Sequence, residues 1–121
     1  MTPKNTINYI EFHARDLEAT KQFFGNVFGW TFEDFGPDYS SFSNQGVDGG
    51  FFRSEHASCS DTGAALIVLY TDEIENLEAQ IVRAGGTITR PIFSFPGGRR
   101  FHFTEPSGNE LAVWTEPAED Q

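Results

Sequence analysis

The side chains in this chain that could do chemistry are few and scattered. Three histidines (His13, His56 and His102) and one cysteine, Cys59, stand among many carboxylates. Glu11 and His13 are separated by one residue. On a strand that spacing puts an acid and an imidazole on one face, together with Tyr9. Such a pair can bind a divalent metal or pass a proton, so Glu11 and His13 are the catalytic candidates. The plainer reading, which we prefer, makes Glu11 a hydrogen-bonded polar group and leaves His13 in water near the strand end. His56 falls in a polar stretch and is given no role. His102 lies between Phe101 and Phe103 and so faces away from both, toward a cavity or toward solvent. Cys59 sits between Ser58 and Ser60 with no lysine or arginine beside it, which argues against an activated nucleophile. Gly97-Gly98-Arg99-Arg100 could cradle an anion, but it reads more simply as a glycine hairpin followed by basic strand residues. No Gly-x-Gly-x-x-Gly, phosphate-binding loop or Cys-x-x-Cys is present.

The elements that must position these groups follow from periodicity. Residues 6–14 alternate as a strand, with Ile10 and Phe12 on the face opposite Tyr9, Glu11 and His13. Asp16 is a helix N-cap, and Leu17, Thr20, Phe23, Phe24, Val27 and Phe28 form an apolar stripe that ends at Gly29. Strands follow over 30–35, 39–43 and 47–53. Residues 54–63 are small, polar and aperiodic, and read as a linker. Residues 64–70 are nearly all apolar and predict a strand buried on both faces. Asp72 with Glu75 has capping-box spacing before a second helix bearing Ile74, Leu77, Ile81 and Val82, closed by Gly85-Gly86. Strands over 87–93, 99–104 and 110–115 complete the chain. The turn Glu105-Pro106-Ser107-Gly108-Asn109 stands before the last of them.

The totals limit function. At 121 residues the chain is one domain able to hold a core without staples. A single cysteine permits no intramolecular disulfide and suits a reducing compartment, so the expected location is cytoplasmic. The first residues lack the apolar stretch of a signal peptide, and no run approaches the ~20 apolar residues of a membrane span. Eight basic and 18 acidic residues give a net charge of −10, which argues against nucleic acid or an anionic membrane as partner. Part of that charge is an acidic tail, residues 117–121. Thirteen phenylalanines exceed ordinary use at this length and supply core, with a surplus that an apolar ligand pocket could use.

The order strand, helix, strand, strand, strand occurs twice. At an offset of 57, Tyr9 falls on Leu66, Asp16 on Glu73, Leu17 on Ile74 and Gly29 on Gly86. At an offset of 62, Gly46 falls on Gly108, Gly50 on Ala112 and Phe52 on Trp114. The expected architecture is α+β: two tandem βαβββ modules forming a cupped eight-stranded mixed sheet with helices on its outer face. The first module covers about 5–54, the linker about 55–63 and the second module about 64–116.

Ile7-Asn8-Tyr9-Ile10-Glu11, the helix from Asp16 to Phe24, Phe28-Gly29-Trp30 and Glu105-Pro106-Ser107-Gly108-Asn109 together resemble the vicinal oxygen chelate superfamily. Its members include glyoxalase I, bleomycin-resistance proteins and extradiol dioxygenases. The last stretch resembles the superfamily's Asp-Pro-x-Gly-Asn turn, with Glu105 in place of Asp. The resemblance spans essentially the whole chain and implies the fold; it does not single out a reaction. Catalytic members hold a divalent metal in the cup. Their ligand positions correspond here to Tyr9, Gly50, Leu66 and Ala112, of which three have no side-chain donor. A phenol with an ordinary pKa near ~10 is a poor partner for such an ion. The expectation is therefore a protein without metal or other cofactor, binding a small apolar or aromatic molecule in the cup. Tyr9, Glu11, Gly50, Leu66, Ala112 and Trp114 would line it, with Trp114 free to stack on a flat ligand. The alternative is a metal-dependent lyase, isomerase or dioxygenase of the glyoxalase type, using Glu11, His13 and His102 as a non-standard ligand set. The resemblance also implies a homodimer.

Overall fold

The computed structural model describes residues 2–117; residues 118–121, most of the expected acidic tail, lie outside the described residues. The chain runs β1 (Tyr9–Ala14), α1 (Leu17–Phe28), β2 (Phe32–Asp34), β3 (Tyr39–Phe42) and β4 (Asp48–Arg53). A short 3-10 turn at Ser60–Thr62 follows, then β5 (Ile67–Tyr70), α2 (Ile74–Arg83), β6 (Thr87–Phe95), β7 (Gly98–Thr104) and β8 (Glu110–Thr115).

α1 begins where the sequence predicts. Asp16 is extended, and its carboxylate accepts from the Ala19 N–H at 3.1 Å. Gly29 closes the helix at φ 74°, a left-handed conformation that costs glycine nothing. α2 departs from expectation. Its N-cap is Glu73, whose side chain makes no capping bond, so the box between Asp72 and Glu75 does not form. Instead the Thr71 hydroxyl accepts from the Glu73 N–H at 3.2 Å. Glu75 is engaged elsewhere, 2.5 Å from the Arg99 guanidinium. Beginning at Ile74 lays Ile74, Leu77 and Ile81 against the core, and that burial outweighs a side-chain cap.

The eight strands form two four-stranded sheets, ordered β1-β4-β3-β2 and β5-β8-β7-β6. In each, the opening strand runs parallel to the last, and the other pairs are antiparallel. The registers carry the internal repeat. Glu11 stands beside Gly50 in the first sheet and Val68 beside Ala112 in the second, which reproduces the offsets of 57 and 62.

One face of each sheet is covered. Phe12, Phe24, Phe42 and Phe51 share a core with Phe101, Phe103, Leu111 and Val113 from the second module. The ring centroids of Phe23 and Phe103 lie 5.9 Å apart, which joins the modules. Seven phenylalanines (12, 23, 24, 42, 51, 101 and 103) are buried, so core packing absorbs much of the aromatic surplus. The other face of each sheet is open. For this reason β5 is not buried on both faces: Val68 is 41% and Tyr70 52% exposed.

The turn Glu105–Asn109 is a buried polar knot. The Thr20 hydroxyl of α1 donates to Glu105 Oε1 at 2.7 Å and lies 2.6 Å from Ser107 Oγ. The Ser107 N–H donates to the same oxygen at 2.8 Å. Asn109 Nδ2 donates to Glu105 Oε2 and to the His13 carbonyl, both at 2.6 Å. Burial pushes the Glu105 carboxyl above its usual range, and these donors pull against that shift.

Candidate functional site

The open face of the first sheet is built by alternation along β1 and β4. Tyr9, Glu11 and His13 point to it from β1, beside Asp48, Gly50 and Phe52 of β4. Tyr39 of β3 lies across them. Its oxygen is 2.6 Å from the Tyr9 oxygen, and its hydroxyl donates to Glu11 Oε2 at 2.9 Å. Desolvation, then the bonds to Tyr9 and Glu11, hold the Tyr39 phenol far above its usual range, so it keeps its proton. Gly50 is what permits this placement. A Cβ at position 50 would overlap the Tyr39 oxygen and stand 2.6 Å from its Cζ, closer than real contacts allow. Tyr39 carried no signal of this role in the sequence, because its position depends on pairing across three strands.

His13 lies one row along. Its Nδ1 is 2.9 Å from Ser54 Oγ, and its ring is 4.7 Å from Phe52. His56, which has no role on sequence grounds, comes edge-on to it at 5.7 Å, an association that its place in a polar stretch does not announce.

On the second sheet, Val68 stands beside Ala112 and Tyr70 beside Trp114, with the last two rings 5.3 Å apart. Ala112 is fully buried. His102 pairs in register with Ala112 and so shares the open face. Its Nε2 accepts from Arg100 Nε at 3.2 Å, and its Nδ1 is 3.5 Å from Glu110 Oε2. Glu110 also accepts from the Ser60 N–H and hydroxyl, each at 2.7 Å. The Ser60 backbone bond is the main reason that its carboxyl sits below the usual range. Arg99 and Arg100 are thus committed to Glu75 and His102, which leaves no ready anion cradle beside Gly97-Gly98. Cys59 donates to the Gly108 carbonyl, and burial pushes its thiol up, the opposite of activation.

Leu66 precedes β5 and belongs to neither open face cluster. It lines an apolar cleft of about 370 Å³ where β1 and β5, the edge strands of the two sheets, approach. Ile10, Phe12, Trp30, Phe42 and Ile67 form its walls, and Gln45 is its one polar side chain.

The positions that the resemblance assigns to metal ligands offer little that could hold a metal. Gly50, Leu66 and Ala112 offer no donor atom, and the Tyr9 phenol is engaged by Tyr39. A catalytic divalent ion needs about three protein donors. Glu11, His13 and His102 sit in separate hydrogen-bond networks on two sheets. Among the described residues, no group of three or more His, Cys, Asp or Glu side chains is arranged to hold a metal ion.

Comparisons with known proteins place this architecture. The sequence profile of the Glyoxalase/Bleomycin resistance protein/Dioxygenase superfamily matches residues 6–113. CFP32 of Mycobacterium bovis, a glyoxylase by name, is 23% identical over 129 residues. That alignment takes in 92% of this chain and 46% of CFP32, so the chain spans about half the length of the curated relative. A glyoxalase/bleomycin resistance protein/dioxygenase family enzyme from Burkholderia phytofirmans PsJN superposes with a TM-score of 0.77 at 16% identity, over 91% of this chain and 98% of its own. The lactoylglutathione lyase of Agrobacterium tumefaciens does so with a TM-score of 0.69 at 19% identity, over 94% and 96%. The structural likenesses speak for the fold. With the profile match along nearly the whole chain and the repeated registers of its two sheets, they make this protein a member of the Glyoxalase/Bleomycin resistance protein/Dioxygenase superfamily.

Proposed function

We propose that the protein is a metal-free binding member of its superfamily that takes a small apolar or aromatic molecule. The observation that carries this reading is the apolar cleft at the β1–β5 junction, of a size that fits a small ligand and walled by Trp30, Phe42 and aliphatic side chains. The donor-poor set Tyr9, Gly50, Leu66 and Ala112 supports the same reading from the side of chemistry. The test is a panel of small aromatic compounds, read by thermal shift and by Trp30 emission in a Trp114→Phe background. Binding is expected to perturb Trp30, and Leu66→Trp, which fills the cleft, is expected to weaken it roughly tenfold or more while the melting temperature holds. A panel without a binder sinks the proposal. Metal analysis of protein purified without a His tag provides the second check. Stoichiometric Zn, Ni, Fe or Mn would replace this reading with that of a glyoxalase-type lyase or dioxygenase using Glu11, His13 or His102.

A further inference from the structure

The cluster Tyr9–Tyr39–Glu11 has a fixed direction of hydrogen bonding that follows from counting protons. Tyr39 has one hydroxyl hydrogen and gives it to Glu11 Oε2. Toward Tyr9, at 2.6 Å, Tyr39 can therefore only accept, so Tyr9 spends its own hydrogen on Tyr39. Both phenolic hydrogens are then consumed within the cluster. What remains outward is a lone pair on the Tyr9 oxygen and the second carboxylate oxygen, Glu11 Oε1. No lysine or arginine is bonded to either among the described residues. Both Tyr9 and Glu11 lie within 2.9 Å of one phenolic oxygen, which keeps the two acceptor-bearing side chains next to each other on the open face.

Exposed aromatic surface lies beside this cluster. Tyr9 is 45% exposed, and Phe35, 58% exposed, stands with its ring centroid 6.4 Å from that of Tyr39. Exposed aromatic rings beside a carboxylate favour a cation with an apolar body. Asp48, in register beside Tyr9, adds to the negative character, as does the net charge of −10.

We propose that Tyr9, Tyr39 and Glu11, with Phe35, form a binding site on the open face of the first sheet for a primary organic ammonium carrying an aromatic group. The site offers acceptors and no donor, so an anionic ligand lacks partners there, and a neutral hydroxyl can satisfy one acceptor at a time without the charge attraction to Glu11. An ammonium bearing hydrogens can satisfy the Tyr9 oxygen and Glu11 Oε1 together, whereas a quaternary ammonium keeps only the ring contacts. Tyr39 acts as a positioning residue: it orients both acceptors and makes no contact with the ligand nitrogen. The held-up phenol of Tyr39 keeps this order of donors intact across the neutral range.

The test titrates the full chain with benzylamine, benzyltrimethylammonium, benzyl alcohol and benzoate at neutral pH, following backbone amide shifts of Tyr9–Ala14 and Asp48–Arg53 by NMR. Benzylamine is expected to bind most tightly, and Glu11→Gln is expected to weaken it roughly tenfold or more. Tyr39→Phe frees the Tyr9 hydroxyl to donate outward, so benzyl alcohol should gain on benzylamine in that variant. This change of preference is one that a merely structural Tyr39 would not produce. Glu11 and Tyr9 are exposed, so melting curves of Glu11→Gln and Tyr9→Phe should match the parent and show that loss of binding is not loss of fold. Equal binding of benzylamine and benzyl alcohol by the parent, or unchanged benzylamine affinity in Glu11→Gln, would overturn the proposal. The cleft is read separately through Trp30, so either proposal can fail while the other stands.

Discussion

Gly50 shows how much one missing side chain decides. In the first sheet Gly50 occupies the place that Ala112 occupies in the second. The Tyr39 phenol fills the space above Gly50, so a side chain added there meets the tyrosine ring. Gly50→Ala should destabilise by about 1–3 kcal/mol through overpacking, and most of that loss should vanish when Tyr39→Ala is added. Urea denaturation of the two single variants and the double variant measures the coupling; additive effects would separate the two residues. The donors missing from Gly50, Leu66 and Ala112 were legible in the sequence, because a residue type without a donor has none in any fold. Tyr39 was not legible, since its contact with Tyr9 and Glu11 spans 30 and 28 residues of chain.

At the scale of elements, periodicity located strands and helices well where one face is buried. α1 and β8 begin and end close to expectation, because cap chemistry and alternation agree there. β5 misled for a physical reason: an apolar run has no internal phase, and it cannot say which face will be left open. The linker also gained structure that its composition did not announce. Ser60 is held by Glu110 of β8, and the Ser58 N–H donates to Asn109 Oδ1 at 2.8 Å. The pH dependence of stability should report the Glu110 tie. Its folded pKa is below the unfolded value, so its contribution is present above the ordinary carboxylate range and is lost as pH falls through the folded value. Glu110→Gln should therefore lower stability at neutral pH and flatten the fall in acid, measured by denaturation at a series of pH values. Glu105 has the opposite sign: its folded pKa is raised, so its contribution is present below the ordinary range and is lost as pH rises through the folded value.

At the scale of the whole molecule, the two modules are joined by the shared aromatic core and by the knot around Asn109. Asn109→Ala removes donors from Glu105 and the His13 carbonyl and the acceptor of the Ser58 N–H. It should cost about 1–3 kcal/mol in global stability, because buried partners lose their bonds. If chemical denaturation shows no such loss, the knot is not a tie between modules. Among the described residues, no helix is long and apolar enough to cross a membrane. The sequence by itself determined the duplicated βαβββ order, the superfamily and the absence of donors at Gly50, Leu66 and Ala112, since repeats, caps and residue types are local properties of the chain. Only the tertiary structure decided that Leu66 lines an apolar cleft, that His102 shares the open face with Ala112, and that Tyr39 joins Tyr9 to Glu11 above Gly50. Those facts depend on which edges approach and which faces stay uncovered, and packing between distant segments sets both.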